Sequence, residues 1–218
     1  MAKKKTISEN DIMSLYMDYV LEHNSNPKSV YSFAKANNFD EALFYNYFGS
    51  FEAIEKHILK AFFDNAIQIL DKNEDYQNFD ARNKLLSFYF TFFEILTANR
   101  SYVVYALESN KKNLKALLKL SELKKAFTNY IDHLDIETLD IKQATIDKIQ
   151  KKAIQESAWA QLLVTMKFWL EDTSAGIEKT DIFIEKAVNT SFDILNIAPL
   201  KSVIDFGKFL FKEKMQMN

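Results

Sequence analysis

Apolar residues recur along this chain at the three-to-four spacing of one helix face, broken by short polar stretches. Ser8 is placed to cap a first helix over 9–23, with Ile12, Leu15, Tyr16, Tyr19 and Val20 on one face. The break "HNSNP" stops it. Asn26 as cap and Pro27 in the first turn then open a second helix reaching Asn37. After "NFD" a third, short helix over 41–47 is closed by "GS". A long fourth helix over 51–71 turns Ile54, Ile58, Leu59, Phe62 and Ile69 inward.

Beyond the polar stretch "DKNEDYQNFDAR" the pattern grows more aromatic. A helix over 82–98 carries Phe88, Tyr89, Phe90, Phe92 and Phe93 on more than one face, as a buried central helix requires. Helices over 101–109 and 111–133 follow, the latter rich in lysine. Long helices over 143–171 and 178–196 are divided by "EDTSAG", and Pro199 sets off a last amphipathic helix over 200–214.

Composition agrees with this all-helical reading. Of 218 residues 48% are apolar and 14% aromatic, with only three glycines and two prolines, too few turn residues for a sheet-rich fold. The absence of cysteine excludes disulfides and thiolate metal sites. "MAKKKTISENDIM" has no apolar run typical of a secretory signal, and no stretch reaches the ~20 apolar residues of a membrane span, so a cytoplasmic protein is expected. The formal net charge of −2 exerts no global pull on nucleic acid. His23, His57 and His133 lie far apart with no ligand-spaced partner, and no phosphate loop or nucleophile elbow occurs. Neither a metal site, a cofactor nor an enzymatic activity is expected. The organisation expected is an N-terminal three-helix domain over 1–50 and a larger helical domain over 51–218, with 51–71 as the linking helix.

Within "SVYSFAKANNFDEALFYNYF" the apolar positions Phe33, Ala34, Phe39, Phe44 and Phe48 fall where a small helix-turn-helix core belongs. That leaves Glu41, Ala42, Leu43, Tyr45, Asn46 and Tyr47 on the outward face, where hydroxyls and amides can reach phosphates and base edges. The stretch resembles the DNA-binding domain of TetR-family transcriptional regulators. The resemblance rests on "FA" at 33–34, the turn "NNFD" at 37–40, "FYNYF" at 44–48 and "GSFEAI" at 49–54. It implies phosphate contacts for Tyr45 and Tyr47, base-edge contacts for residues 41–43 and a backbone contact for Ser29. Lys3, Lys4 and Lys5 add a basic arm. Asn38 stands where the family pattern has glycine, and asparagine tolerates positive φ. Phe51 stands where it has a phosphate-gripping lysine. Over residues 28–57, Lys28, Lys35 and Lys56 face Asp40, Glu41, Glu52 and Glu55, a net −1 that works against phosphate binding.

The resemblance further implies a body that binds a small molecule and pairs with a second copy through its last two long helices. Candidate pairing residues are Trp159, Leu163, Trp169, Phe183, Val188 and Phe192. Phe88, Tyr89, Phe92, Phe93 and Met166 are candidate walls of a hydrophobic ligand pocket, with Glu94, Arg100 and Tyr105 as polar anchors. The basic amphipathic stretches "KKNLKALLKLSELKK" and "LKSVIDFGKFLFKEK" can lie on an anionic membrane surface, though a solvated face is the more ordinary account. "FWLEDTSAGIEKTDIFIEKAVNTSFDIL" is similar to the end of the ubiquinone-biosynthesis lipid-binding proteins that share the TetR-like fold. Two functions are therefore expected in competition: a homodimeric regulator reading a palindromic operator, or a lipid-binding protein that no longer reads DNA.

Overall fold

A computed structural model describes residues 7–108, 118–136 and 144–196. The basic arm, the start of the lysine-rich stretch and the helix expected over 200–214 lie outside these residues. Among the described residues the fold is all-α, with ten α-helices and no strand. In order they are α1 (Glu9–His23), α2 (Val30–Ala36), α3 (Glu41–Tyr47), α4 (Phe51–Asp71), α5 (Glu74–Gln77), α6 (Ala81–Ala98), α7 (Arg100–Glu108), α8 (Ser121–Asp132), α9 (Ala144–Glu171) and α10 (Glu178–Asn196).

The starts of α1, α3 and α4 follow from their caps. Ser8 and Asp11 form a reciprocal capping box, Asp40 accepts from the Ala42 amide at 3.1 Å, and Ser50 accepts from the Ala53 amide at 3.2 Å. The second helix departs from expectation. Its cap is Ser29 rather than Asn26, in a box with Ser32. Asn26 is drawn away instead, because its side-chain carbonyl accepts from two tyrosine hydroxyls, and Pro27 is buried. Ile69 also departs: it is 46% exposed, since α4 buries Ile54, Ile58, Leu59, Phe62, Phe63, Ala66 and Leu70 on the other side. The polar stretch before α6 contains the short α5, which buries Tyr76.

The chain divides into two compact units. The first comprises Met1–Asn73 with Thr91–Asn129, the second Glu74–Phe90 with Tyr130–Asn218, so α6 gives residues to both. In the first, α1 packs against α7 and α2 against α3. Its core holds Ile12, Tyr16, Phe33, Phe44, Ile54, Ile58, Leu59, Phe92, Val103 and Phe127, all at most 1% exposed. Burying such side chains stabilises by roughly 1.5–3 kcal/mol each before conformational entropy is set against it.

In the second unit α9 packs against α10. Leu162, Trp169, Ile184 and Val188 are fully buried there, and Phe168 stacks on Phe183 at 4.5 Å. Arg82 of α6 reaches Asp193 at 2.7 Å and Asn189 at 3.3 Å, with its guanidinium 5.5 Å from the Phe192 ring centre. Ser191 donates to Gln161 at 2.6 Å.

Candidate nucleic-acid interface

The α2–turn–α3 segment is built around Phe33. Its ring meets Tyr16, Phe39, Phe44 and Phe51 edge-on, with centroids 5.7–6.4 Å apart. Phe39, Phe44 and Phe48 are likewise at most 3% exposed, and Ala34 is 2% exposed. The turn closes through the Phe39 amide, which donates to the Ala34 carbonyl at 3.1 Å. Asn38 takes φ of +57° there, the left-handed conformation that asparagine adopts more readily than most side chains. Phe51 stacks on Tyr16 at 5.5 Å and touches Phe44 at 5.4 Å, so the residue standing in for a phosphate-gripping lysine is part of the aromatic core.

With its aromatic side inward, α3 exposes Ala42, Tyr45, Asn46 and Tyr47, while Glu41 and Leu43 are half-buried. Tyr45 is 54% and Tyr47 44% exposed. Ser29 is exposed at the start of α2. Tyr31, which the sequence reading passed over, is 59% exposed, and the Lys35 ammonium lies 5.9 Å from its ring centre. Its spacing of four from Lys35 was the available signal. This face offers phenols, an amide, a hydroxyl and an ammonium: groups suited to phosphate oxygens and base edges.

Beneath this face lies a buried polar cluster that periodicity does not reveal. Glu55 of α4 is 3% exposed. One carboxylate oxygen accepts from the Tyr16 hydroxyl at 2.8 Å, and the other pairs with the Lys119 ammonium at 2.9 Å. Tyr16 also contacts the Asn26 side-chain carbonyl at 3.1 Å, which the Tyr105 hydroxyl reaches at 3.2 Å. Burial first, then the Glu55 charge, push the Tyr16 phenol far above its ordinary range, so it stays a neutral donor. On the flank of α4, His57 places one ring nitrogen 3.3 Å from Glu9 and the other 3.4 Å from Glu122.

The remaining candidates are distributed between the units. In the second, Phe88, Tyr89 and Met166 are buried. In the first, Phe92 and Phe93 are buried, Glu94 is exposed, and Arg100 and Tyr105 are half-buried. A groove on α4 lined by Phe63, Asp64, Ile67, Gln68, Asp71 and Lys72 includes none of them. Of the pairing candidates, Trp159, Trp169, Val188 and Phe192 are buried, and Leu163 and Phe183 are half-buried. The exposed apolar residues here are Val164 on α9 and Ile182 and Ile194 on α10, each at least half exposed.

The "EDTSAG" break is a helix cap. The Asp172 carboxylate, 6% exposed, accepts from the Ser174 amide and hydroxyl at 2.8 and 2.6 Å and from the Thr180 amide and hydroxyl at 2.9 and 2.7 Å. These bonds, led by the Ser174 hydroxyl, hold its pKa well below the usual carboxylate range. Among the described residues no group of side chains is arranged to hold a metal ion, and no helix is long and apolar enough to cross a membrane.

A search of the curated proteins found no match. Residues 84–210 match the family model of the tetracycline repressor-like C-terminal domain, a span covering more than half of the chain. Together with the all-α architecture, that match establishes that this chain belongs to the tetracycline repressor-like (TetR) family of regulators.

Proposed function

We propose that this protein binds DNA as a homodimer and is modulated by a small hydrophobic ligand. The observation carrying this reading is the outward face of α3, where Ala42, Tyr45, Asn46 and Tyr47 are exposed over a core rich in phenylalanine. Residues 1–50 are the reading head in this account, and the helices that follow provide the ligand-binding and pairing body. Ser29, Tyr31 and Lys35 meet the backbone, with Lys3, Lys4 and Lys5 as an added arm. Residues 41–43 run along base edges.

The charge balance of the head changes once burial is considered. Of the four acids in residues 28–57, Glu55 is buried and paired with Lys119. That leaves Lys28, Lys35 and Lys56 against Asp40, Glu41 and Glu52, a neutral balance in place of net −1. Dimerisation is supported by a stripe of exposed small residues on α9, Ala153, Ser157 and Ala160, which leads to the exposed Val164. Small side chains let a second helix approach closely. Ile182 and Ile194 extend the apolar surface on α10. Two heads so joined read a palindrome when they lie about one DNA turn apart, ~34–36 Å. The ligand is held against the phenylalanine-rich α6, and it acts through different affinities for two arrangements of the heads.

The test is selection of binding sites from random DNA, followed by affinity measurements across a salt series. Selective binding that weakens with salt, by a slope of about −0.9 per phosphate contacted, is expected. Tyr45→Ala should lose at least tenfold in affinity with its fold intact. Absence of selective binding at low salt, with lipid co-purifying, would instead support the second reading, a lipid-binding protein. The few cations exposed on the head favour that alternative.

A further inference from the structure

The seven residues of α3 limit which bases a reading head built on them can recognise. Successive helical residues turn by about 100°, so those two before and two after Phe44 lie within about 20° of the line opposite it. Phe44 is fully buried, and the two residues so placed, Ala42 and Asn46, are both exposed. Glu41 and Tyr47, three positions to either side, turn back to within about 60° of Phe44, and Glu41 is half-buried. Leu43, also half-buried, and the exposed Tyr45 flank the centre line. The centre of the outward face therefore presents one methyl group and one carboxamide. That carboxamide is available to a ligand. The Asn37 side chain donates to the Phe33 carbonyl of its own helix at 2.9 Å, whereas the Asn46 side chain has no partner among the described residues. No lysine or arginine occurs in α3, and Lys35 on the neighbouring α2 lies over the Tyr31 ring.

We propose that the half-site read by α3 is A·T at its centre, with Asn46 forked onto an adenine and Ala42 packed on the methyl group of a thymine. This rests on the proposed reading head and specifies what it reads. In the major groove adenine offers an acceptor at N7 beside a donor at N6, and a carboxamide matches both at once. Thymine alone carries a methyl group there, which an alanine side chain meets without a polar mismatch. Guanine offers two acceptors, N7 and O6, and the fork that reads it comes from arginine or lysine, which this helix lacks. The group suited to the cytosine amine is the Glu41 carboxylate, which the helix turns away from the centre line. Four residues of helix advance ~6 Å and base pairs stack ~3.4 Å apart, so the two contacts fall no more than two steps apart.

The test uses the full chain and half-sites enriched from random DNA. The enriched half-site should contain an adenine with a second A·T pair within two steps. 7-Deazaadenine, which lacks the N7 acceptor, is then placed at each adenine in turn. At one position it should weaken wild-type binding about fivefold or more, and Asn46→Ala should erase that difference and accept any base there. Asn46→Arg should move the preference at that position to guanine. Asn46 is exposed, so neither variant disturbs the core. Enrichment of G·C at the centre, or 7-deazaadenine tolerated alike by the wild type and Asn46→Ala, would overturn the assignment and leave the reading head standing. So would an Asn46→Ala variant that weakens every sequence equally, the behaviour of a phosphate contact. Failure to enrich any sequence at low salt would overturn both.

Discussion

Lys119→Met isolates the energetics of the buried carboxylate. Glu55 is 3% exposed and Lys119 retains 13% side-chain exposure, so the pair is largely removed from water. Breaking a buried ion pair by deleting one partner typically costs about 3–5 kcal/mol, because the surviving charge remains desolvated. Here the Tyr16 hydroxyl stays on the carboxylate at 2.8 Å, and methionine retains much of the lysine stem's apolar packing. Both considerations place the expected loss near the lower end, ~3 kcal/mol. With a urea dependence of ~1–3 kcal/mol per molar, the midpoint should fall by roughly 1–3 M. Far-UV circular dichroism follows the whole chain, whereas tryptophan emission follows the second unit alone, where Trp159 and Trp169, the two tryptophans, both lie. The loss belongs to the transition of the first unit. In Glu55→Gln/Lys119→Met the neutral amide still accepts from Tyr16, and the deficit should shrink to ~1 kcal/mol, the scale of an ordinary hydrogen bond. A single-variant loss below ~1 kcal/mol, or a double variant no more stable than the single, would refute the claim that an unpaired buried charge is the dominant penalty.

Two further substitutions test the local backbone and the cap. Asn38→Val places a β-branched residue at φ of +57° and should destabilise the first unit by ~1–2 kcal/mol, whereas Asn38→Gly should be close to neutral; thermal melts of both decide it. Asp172 has a depressed folded-state pKa, so its contribution is present above the ordinary aspartate value near pH 4 and is lost as pH falls toward the folded-state value. Acid unfolding followed by tryptophan emission should therefore be steeper in the wild type than in Asp172→Asn, which should start less stable at neutral pH and lose less on acidification.

The limits of α1, α3 and α4 were legible because caps and apolar periodicity are properties of one short stretch of chain. Ser8, Asp40 and Ser50 each bond to a backbone amide two or three residues ahead, which a linear reading can find. The same locality explains why Phe33, Ala34, Phe39, Phe44 and Phe48 were identifiable as core and why Asn38 could be assigned to the turn. Asn26 was misread as a cap because its competing partners, Tyr16 and Tyr105, come from other helices. Ile69 was misassigned inward because periodicity marks an apolar stripe but not its width.

The tertiary structure alone decided which apolar faces close on each other and which polar groups meet. Trp169 and Val188 become core because α9 and α10 cover them, leaving Val164, Ile182 and Ile194 outside. Glu55 reads in the sequence as one more surface acid of the N-terminal segment. It is instead buried with Lys119, sixty-four positions along the chain, and this removes a negative charge from the face proposed to meet DNA. Helix formation is driven by short-range hydrogen bonds and one apolar stripe, so the sequence determined an all-helical chain and the limits of the short helix α3 with the turn before it. A buried carboxylate is tolerable only where distant groups converge to satisfy it, and that convergence exists only in the folded chain.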